Sequence, residues 1–140
     1  NRSQKTMTFP ARQVAGLTEL AAQVDVLVVA TPGGAQTHHL VGAEVLAAMR
    51  PHGRVINIAR GDVVDEAALI AALEAGQIGG AGLDVYEFEP QVPAALLARE
   101  DVVLLPHLGT AALDVRISMG MMVVDNLEAH FAGRALPNPV

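Results

Sequence analysis

Four short apolar runs, three of them closed by a turn-forming or charged residue, set the pattern of the chain. Asp25-Val-Leu-Val-Val-Ala30 is rich in β-branched valine and ends at Thr31-Pro32-Gly33-Gly34. Arg54-Val-Ile-Asn-Ile-Ala59 ends at Arg60-Gly61, Gly80-Ala-Gly-Leu-Asp-Val85 forms the third run, and Val102-Val-Leu-Leu105 is stopped by Pro106. Runs this short, bounded by breakers, read as buried strands. Helical patterns fill the gaps. Thr18 stands as an N-cap for a helix reaching about Gln23, and Ala43-Glu-Val-Leu-Ala-Ala-Met49 forms a second, ending before Pro51. Asp65 caps a stretch from Glu66 to Ala75, with Gly76 where a helix-ending glycine belongs. A last long helix runs from about Ala112 to Phe131, followed by Gly133 and the tail Leu136-Pro-Asn-Pro-Val140.

Strand, helix, strand and helix at short spacing predict an α/β fold. The expected sheet is parallel, covered on both faces and joined by right-handed crossovers. In such sheets ligands collect at the carboxyl ends of the strands. The unusual residues fall there: Thr31 and Pro32 after one run, Arg60 after the next, Asp84 at the end of the third, and His107 after the fourth.

Composition narrows the classes. The 140 residues fit one domain at most, and 51% hydrophobic against 17% charged residues is enough apolar material for a packed core. The absence of cysteine excludes disulfides and thiolate metal sites. A net charge of −6 without a basic run argues against nucleic acid as a partner. No apolar run approaches the ~20 residues that span a bilayer, so no membrane partner is expected. The chain opens at Asn1, with neither an initiator methionine nor a signal-peptide pattern. That predicts a segment of a longer, cytosolic polypeptide.

Arg60, just past a buried strand, either pairs with a helix end or presents its planar guanidinium to a carboxylate through two parallel hydrogen bonds. His107 lies in Pro106-His107-Leu108-Gly109-Thr110, a turn that Pro and Gly stiffen, and can serve as general acid or base. His38, His39, His52 and His130 read as ordinary surface or core histidines. In Tyr86-Glu87-Phe88-Glu89-Pro90 a solvated face is the plain reading of both carboxylates, although Pro90 stiffens Glu89. A carboxylate held against a histidine favours the imidazolium. Adjacent His38 and His39 without an HExxH spacing make a poor metal site. Ser3 and Ser118 lie in no G-x-S-x-G elbow, which argues against a serine hydrolase.

Three blocks stand in order and at suitable spacing along the chain. Val55-Ile-Asn-Ile-Ala-Arg-Gly-Asp-Val-Val-Asp-Glu66, Gly82-Leu-Asp-Val-Tyr-Glu-Phe-Glu-Pro90 and Pro106-His-Leu-Gly-Thr-Ala111 resemble the signatures of the D-isomer-specific 2-hydroxyacid dehydrogenases. The resemblance implies a Rossmann-like, doubly wound parallel sheet. Residues 1–140 would be the C-terminal part of its NAD(P)-binding domain, with 112–140 returning toward a substrate domain outside this chain. It implies Arg60, Glu89 and His107 as catalytic residues. Arg60 would bind the substrate carboxylate, His107 would move the proton, and Glu89 would orient His107. Asp84 matches a contact to the nicotinamide carboxamide. Thr31, Pro32, Thr37, Ala59 and Gly109 match positions lining the cofactor, which Arg60 and His107 border. Asn1, Arg2 and Ser3 resemble the NADP-preferring members, because NAD-preferring ones place an acidic residue there. NADP(H) is therefore the expected cofactor, with NAD(H) the alternative, and no metal.

The glycine-rich phosphate loop, G-x-G-x-x-G, is not within these residues and is expected just before Asn1; Gly33-Gly34 opens no helix and does not replace it. The segment alone is expected to be inactive, with activity belonging to the parent enzyme, a homodimer in this family. The favoured activity is reduction of a small 2-oxoacid such as glyoxylate or hydroxypyruvate. The alternatives are a D-3-phosphoglycerate or D-lactate type of dehydrogenase and a dinucleotide-sensing, corepressor-like binding protein. Formate dehydrogenases pair the histidine with glutamine, so Glu89 argues against them.

In the full-length protein, His107→Ala is expected to lower turnover by about 10²–10⁴-fold, the usual worth of general acid catalysis. Arg60→Ala is expected to impair substrate binding and turnover together. Steady-state kinetics check both, and wild-type rates in either variant would refute its role.

Overall fold

The computed structural model describes residues 8–139. The candidate 2′-phosphate contacts Asn1, Arg2 and Ser3 lie outside the described residues. The chain forms two units, one ending at Leu105 and one beginning at Pro106.

The first unit runs α1 (Leu17–Ala21), β1 (Val26–Val29), α2 (Ala43–Ala48), β2 (Arg54–Asn57), a 3-10 turn (Gly61–Val63), α3 (Glu66–Glu74), β3 (Gly80–Leu83), α4 (Ala94–Leu97) and β4 (Val102–Leu104). The strands form one parallel sheet in the order β1-β2-β3-β4. All four expected strands are present, each shorter than its apolar run. The runs overshoot because their last residues already turn to form loops.

Alternate residues of the strands point into one core. Leu27, Val29, Val55 and Leu83 are buried there with Leu46 of α2, Leu69 of α3 and Leu96 of α4. The opposite face is bare among the described residues, with Val26 48%, Val28 55% and Val103 64% exposed. Coverage of both faces, as expected from the pattern, is thus not met within these residues. The reason is topological. Each strand is added on the same side of the last, so right-handed crossovers carry every connecting helix to the same face. Helices reach the second face only where strand order reverses.

Helix ends show what local signals decide. Asp65 caps α3 as expected, its Oδ1 accepting from the Ala68 N–H at 2.9 Å. Gly76 follows α3 in the left-handed region at φ 64°. Thr18 does not cap α1. It lies inside the helix, which starts at Leu17 after an extended Gly16, with the Gly16 carbonyl accepting from Leu20 N–H. Packing pulls the start forward: Ala21 is fully buried, and Leu17 and Leu20 pack against the core. The turn Gly61–Val63 and the four-residue α4 are too short to leave a periodic signature.

The second unit is dominated by α5 (Leu113–Phe131), one residue off the expected start. The tail doubles back on this helix, where the Asn138 N–H donates to Asn126 Oδ1 at 3.1 Å. Among the described residues no helix is long and apolar enough to cross a membrane.

Asp65→Ala is expected to destabilise the protein by about 0.5–2 kcal/mol, the usual worth of an N-cap. Asp65→Asn keeps an acceptor oxygen and is expected to lose much less. Urea unfolding of both variants checks the assignment.

Candidate active site

The carboxyl end of β2 is organised around one amide. Asn57 is 1% exposed. Its Nδ2 donates to the Arg60 carbonyl at 3.0 Å, and its Oδ1 accepts from the Ala59 N–H at 3.0 Å. The Asn57 carbonyl accepts from the Asp84 N–H, linking this turn to the end of β3. An asparagine buried with its groups satisfied closes the turn that presents Arg60. Its only mark in the sequence is one polar residue inside Val55-Ile-Asn-Ile-Ala59, and its role was not foreseen.

Arg60 is exposed, with extended backbone and its Nη1 donating to the Ala59 carbonyl at 2.6 Å. A guanidinium has five N–H donors, so this bond restrains the fork without using it up. Arg60 borders an open cleft of about 730 Å³ that also takes in Thr31, Pro32, Ile58, Ala59 and Asp62. Four of the expected site residues, Thr31, Pro32, Ala59 and Arg60, therefore share one cleft. Thr31 Oγ1 is buried without a hydrogen-bond partner among the described residues.

Thr37 does not line the cleft. It folds the loop beside it, with its hydroxyl 2.9 Å from the Pro32 carbonyl and 3.1 Å from that of Gly34. No helix opens at Gly33-Gly34; the next is α2, at Ala43. Asp84 is buried just past β3, at 7% exposure.

The 3-10 turn after Arg60 is pressed against the segment that carries Glu89. A Cβ at Gly61 would run into the backbone carbonyl of Tyr86. Tyr86 is buried, and its hydroxyl donates to the Leu105 carbonyl at 2.8 Å. Glu89 folds back onto this segment, its Oε1 accepting from the Tyr86 N–H at 3.0 Å, and the Glu89–Pro90 peptide bond is cis. Glu87, for which the sequence suggests a solvated face, is held in place. Its side chain is 14% exposed and accepts from His39 Nε2 at 2.8 Å.

His107 and Gly109 belong to the second unit. His107 lies in the left-handed region at φ 55°, where a residue with a Cβ is strained. Such strain persists when surrounding structure holds it, and it concentrates at functional sites.

The fold agrees with the comparisons. The family model described as D-isomer specific 2-hydroxyacid dehydrogenase, NAD binding domain, matches residues 1–109. The chain belongs to this family. A hydroxyphenylpyruvate reductase of Plectranthus scutellarioides is 51% identical over 124 residues, covering 89% of this chain and 40% of the relative. A glyoxylate/hydroxypyruvate reductase A of Arabidopsis thaliana is 50% identical with the same coverage. Among solved structures, the NADPH-dependent glyoxylate/hydroxypyruvate reductase of Sinorhizobium meliloti, in complex with NADP and malonate, superposes with a TM-score of 0.95. It is 45% identical and covers 100% of this chain and 44% of its own. The chain thus spans well under half the length of these dehydrogenases. Its parallel sheet is the Rossmann-like NAD-binding domain of the family.

Gly61→Ala is expected to destabilise the protein by about 1–3 kcal/mol, as overpacking does. It should also displace the turn after Arg60. Urea unfolding, with kcat/KM alongside, checks both effects.

Proposed function

We propose that the full protein reduces a small 2-oxoacid to the D-2-hydroxyacid, with glyoxylate or hydroxypyruvate as substrate and NADPH preferred over NADH. The observation that carries this reading is Arg60 at the cleft beside Thr31 and Pro32. It supports a carboxylate-binding role for Arg60, next to the loop that resembles the family's cofactor positions. The names of the relatives support the substrate class, and the Sinorhizobium enzyme was solved with NADP and a carboxylate, malonate. Arg2 and Ser3, positively charged and hydrogen-bonding where an acidic residue would select NAD, support NADPH.

The cleft suits a nicotinamide nucleotide. Thr31 presents a buried hydroxyl with no partner among the described residues, and Ile58 and Pro32 supply apolar surface. Thr31, Pro32 and Ala59 would hold the group, with Asp84 at the carboxamide and Gly109 also lining it. When bound, the reduced nicotinamide supplies a hydride. Arg60 binds the substrate carboxylate through paired charge-assisted hydrogen bonds and polarises the 2-oxo oxygen. His107 gives that oxygen a proton during reduction and takes it back in oxidation. Glu89 orients His107 for this transfer, and its own bond to the Tyr86 N–H limits where its carboxylate can go. A cytosolic homodimer is the state that the family resemblance implies.

Steady-state reduction of glyoxylate, hydroxypyruvate and hydroxyphenylpyruvate by the full-length protein, with NADPH and NADH side by side, tests the reading. The expected result is fast turnover of one of the first two with an NADPH advantage. An NADH advantage would overturn the roles of Arg2 and Ser3. A preference for the aromatic substrate would overturn the small-substrate assignment, and no turnover would overturn the activity.

A further inference from the structure

A second cluster of titratable groups lies outside the cleft and is used by none of the roles above. The loop after β1 reaches His39, whose backbone is left-handed at φ 49° and whose N–H donates to the Asp62 carbonyl at 2.7 Å. The His39 side chain reaches across to another loop, donating from Nε2 to Glu87 Oε1 at 2.8 Å. Glu87 in turn exchanges contacts with the first residue of α3. Its N–H donates to Glu66 Oε1 at 2.9 Å, and its Oε2 lies 3.5 Å from the Glu66 N–H. Glu66 is itself buried, at 6% exposure. Three segments meet here: the loop that Thr37 folds, the head of α3, and the turn that carries Glu89 two residues on. No group of three or more residues among those described is placed to hold a metal ion.

We propose that His39, Glu87 and Glu66 are positioning residues that latch the turn carrying Glu89 to the cofactor-side loop and the head of α3, and that the latch weakens when His39 loses its proton. The inference rests on Glu89 and the Pro32–Thr37 loop belonging to the active site.

The geometry gives the latch its direction. Backbone bonds tie the loop at Val41 to Val63 and Asp65. The reach from this loop to Glu87 runs through the His39 side chain. A non-glycine residue in the left-handed region is costly, and such strain persists only where its surroundings hold it. Here two acceptors do so, one for the His39 N–H and one for its ring. Charge-assisted hydrogen bonds are roughly twice as strong as neutral ones, so the protonation of His39 sets the strength of the link. The groups facing it are Glu87 at 2.8 Å, Asp65 at 3.8 Å from Nδ1, and Asp62, with the His38 ring stacked at 3.9 Å. The hydrogen bond to Glu87, followed by the Glu87, Asp65 and Asp62 charges, holds the His39 imidazolium above its usual 6.5. Its contribution to the latch is therefore complete below the ordinary histidine value and lost as pH rises through the raised one. Glu66 also titrates high, because burial disfavours its charge and Glu87 stands beside it. Losing the His39 charge thus leaves two neighbouring carboxylates without their cation.

The test is made on the full-length protein, wild type against Glu87→Ala, Glu87→Gln and His39→Gln. Amide hydrogen exchange of the segments 86–90 and 64–66, corrected for intrinsic rates, is followed from about pH 5.5 to about pH 9, across the histidine range. The expected wild-type result is protection that declines as pH rises. Glu87→Ala should lack the protection at every pH and show kcat reduced by about 10- to 100-fold, the scale of a misplaced catalytic group, with little change in cofactor KM. Glu87→Gln keeps the shape without the charge and should recover most of kcat, with protection independent of pH; His39→Gln should also flatten the pH dependence. Equal protection in wild type and Glu87→Ala would overturn the latch. So would a pH-dependent decline that persists in His39→Gln. Lost protection with unchanged kcat would overturn the positioning role. Exchange is read without substrate, so the latch stands or falls on it even for a protein that reduces no 2-oxoacid.

Discussion

The Asn57 amide is the knot from which the first half of the candidate site hangs. Parallel strands end with unpaired backbone groups, and a loop leaving them must find partners for those groups away from water. At the end of β2 the buried Asn57 side chain bonds both Ala59 and Arg60, while its own carbonyl receives the Asp84 N–H from the neighbouring strand. One residue thereby sets the direction in which Arg60 leaves the sheet and ties that direction to β3. Gly61 completes the arrangement, because only a residue without a Cβ lets the Arg60 turn lie on the Tyr86 backbone. The direction of the Arg60 backbone at the cleft comes from this packing and not from the loop's own preferences.

Strand order carries a second consequence. Four parallel strands added in sequence put their helices on one face and leave Val26, Val28 and Val103 on the other. The carboxyl edge of the same sheet collects Thr31, Arg60 and Asp84 from three successive strands, although they are far apart in the chain. This is the general advantage of parallel sheets for binding: each crossover returns the chain to the same end. Around that edge side chains also tie the loops, as in Thr37 to Pro32, His39 to Glu87 and Glu87 to Glu66. Loops held in this way respond to protonation more readily than strands held by backbone ladders.

Much of this was legible in the residues. Short apolar runs, three of the four closed by Pro, Gly or Arg, located every strand, because a buried strand must be apolar and must stop where the chain turns. Asp65 announced the start of α3, since an acidic side chain can satisfy the first N–H groups of a helix without help from elsewhere. The three signature blocks carried the family, which the match over residues 1–109 bears out. These features are local, written within a few residues of the structure they specify. Thr18 marks the limit, for there a local cap signal lost to the burial of Ala21 and the start of α1 moved to Leu17. Asn57, Glu66, Glu87 and His39 carry no local signal at all: a polar residue in a strand, two glutamates and a histidine look alike whether solvated or locked. The partners of Glu66, Glu87 and His39 stand as many as 48 positions away, and folding alone brings them within hydrogen-bond reach. The chain's pattern thus dictated where strands and helices form and which chemistry sits at their ends, while the packing of Gly61 on Tyr86 and of His39 on Glu87 was settled by tertiary structure, because contacts between distant residues leave no periodicity to read.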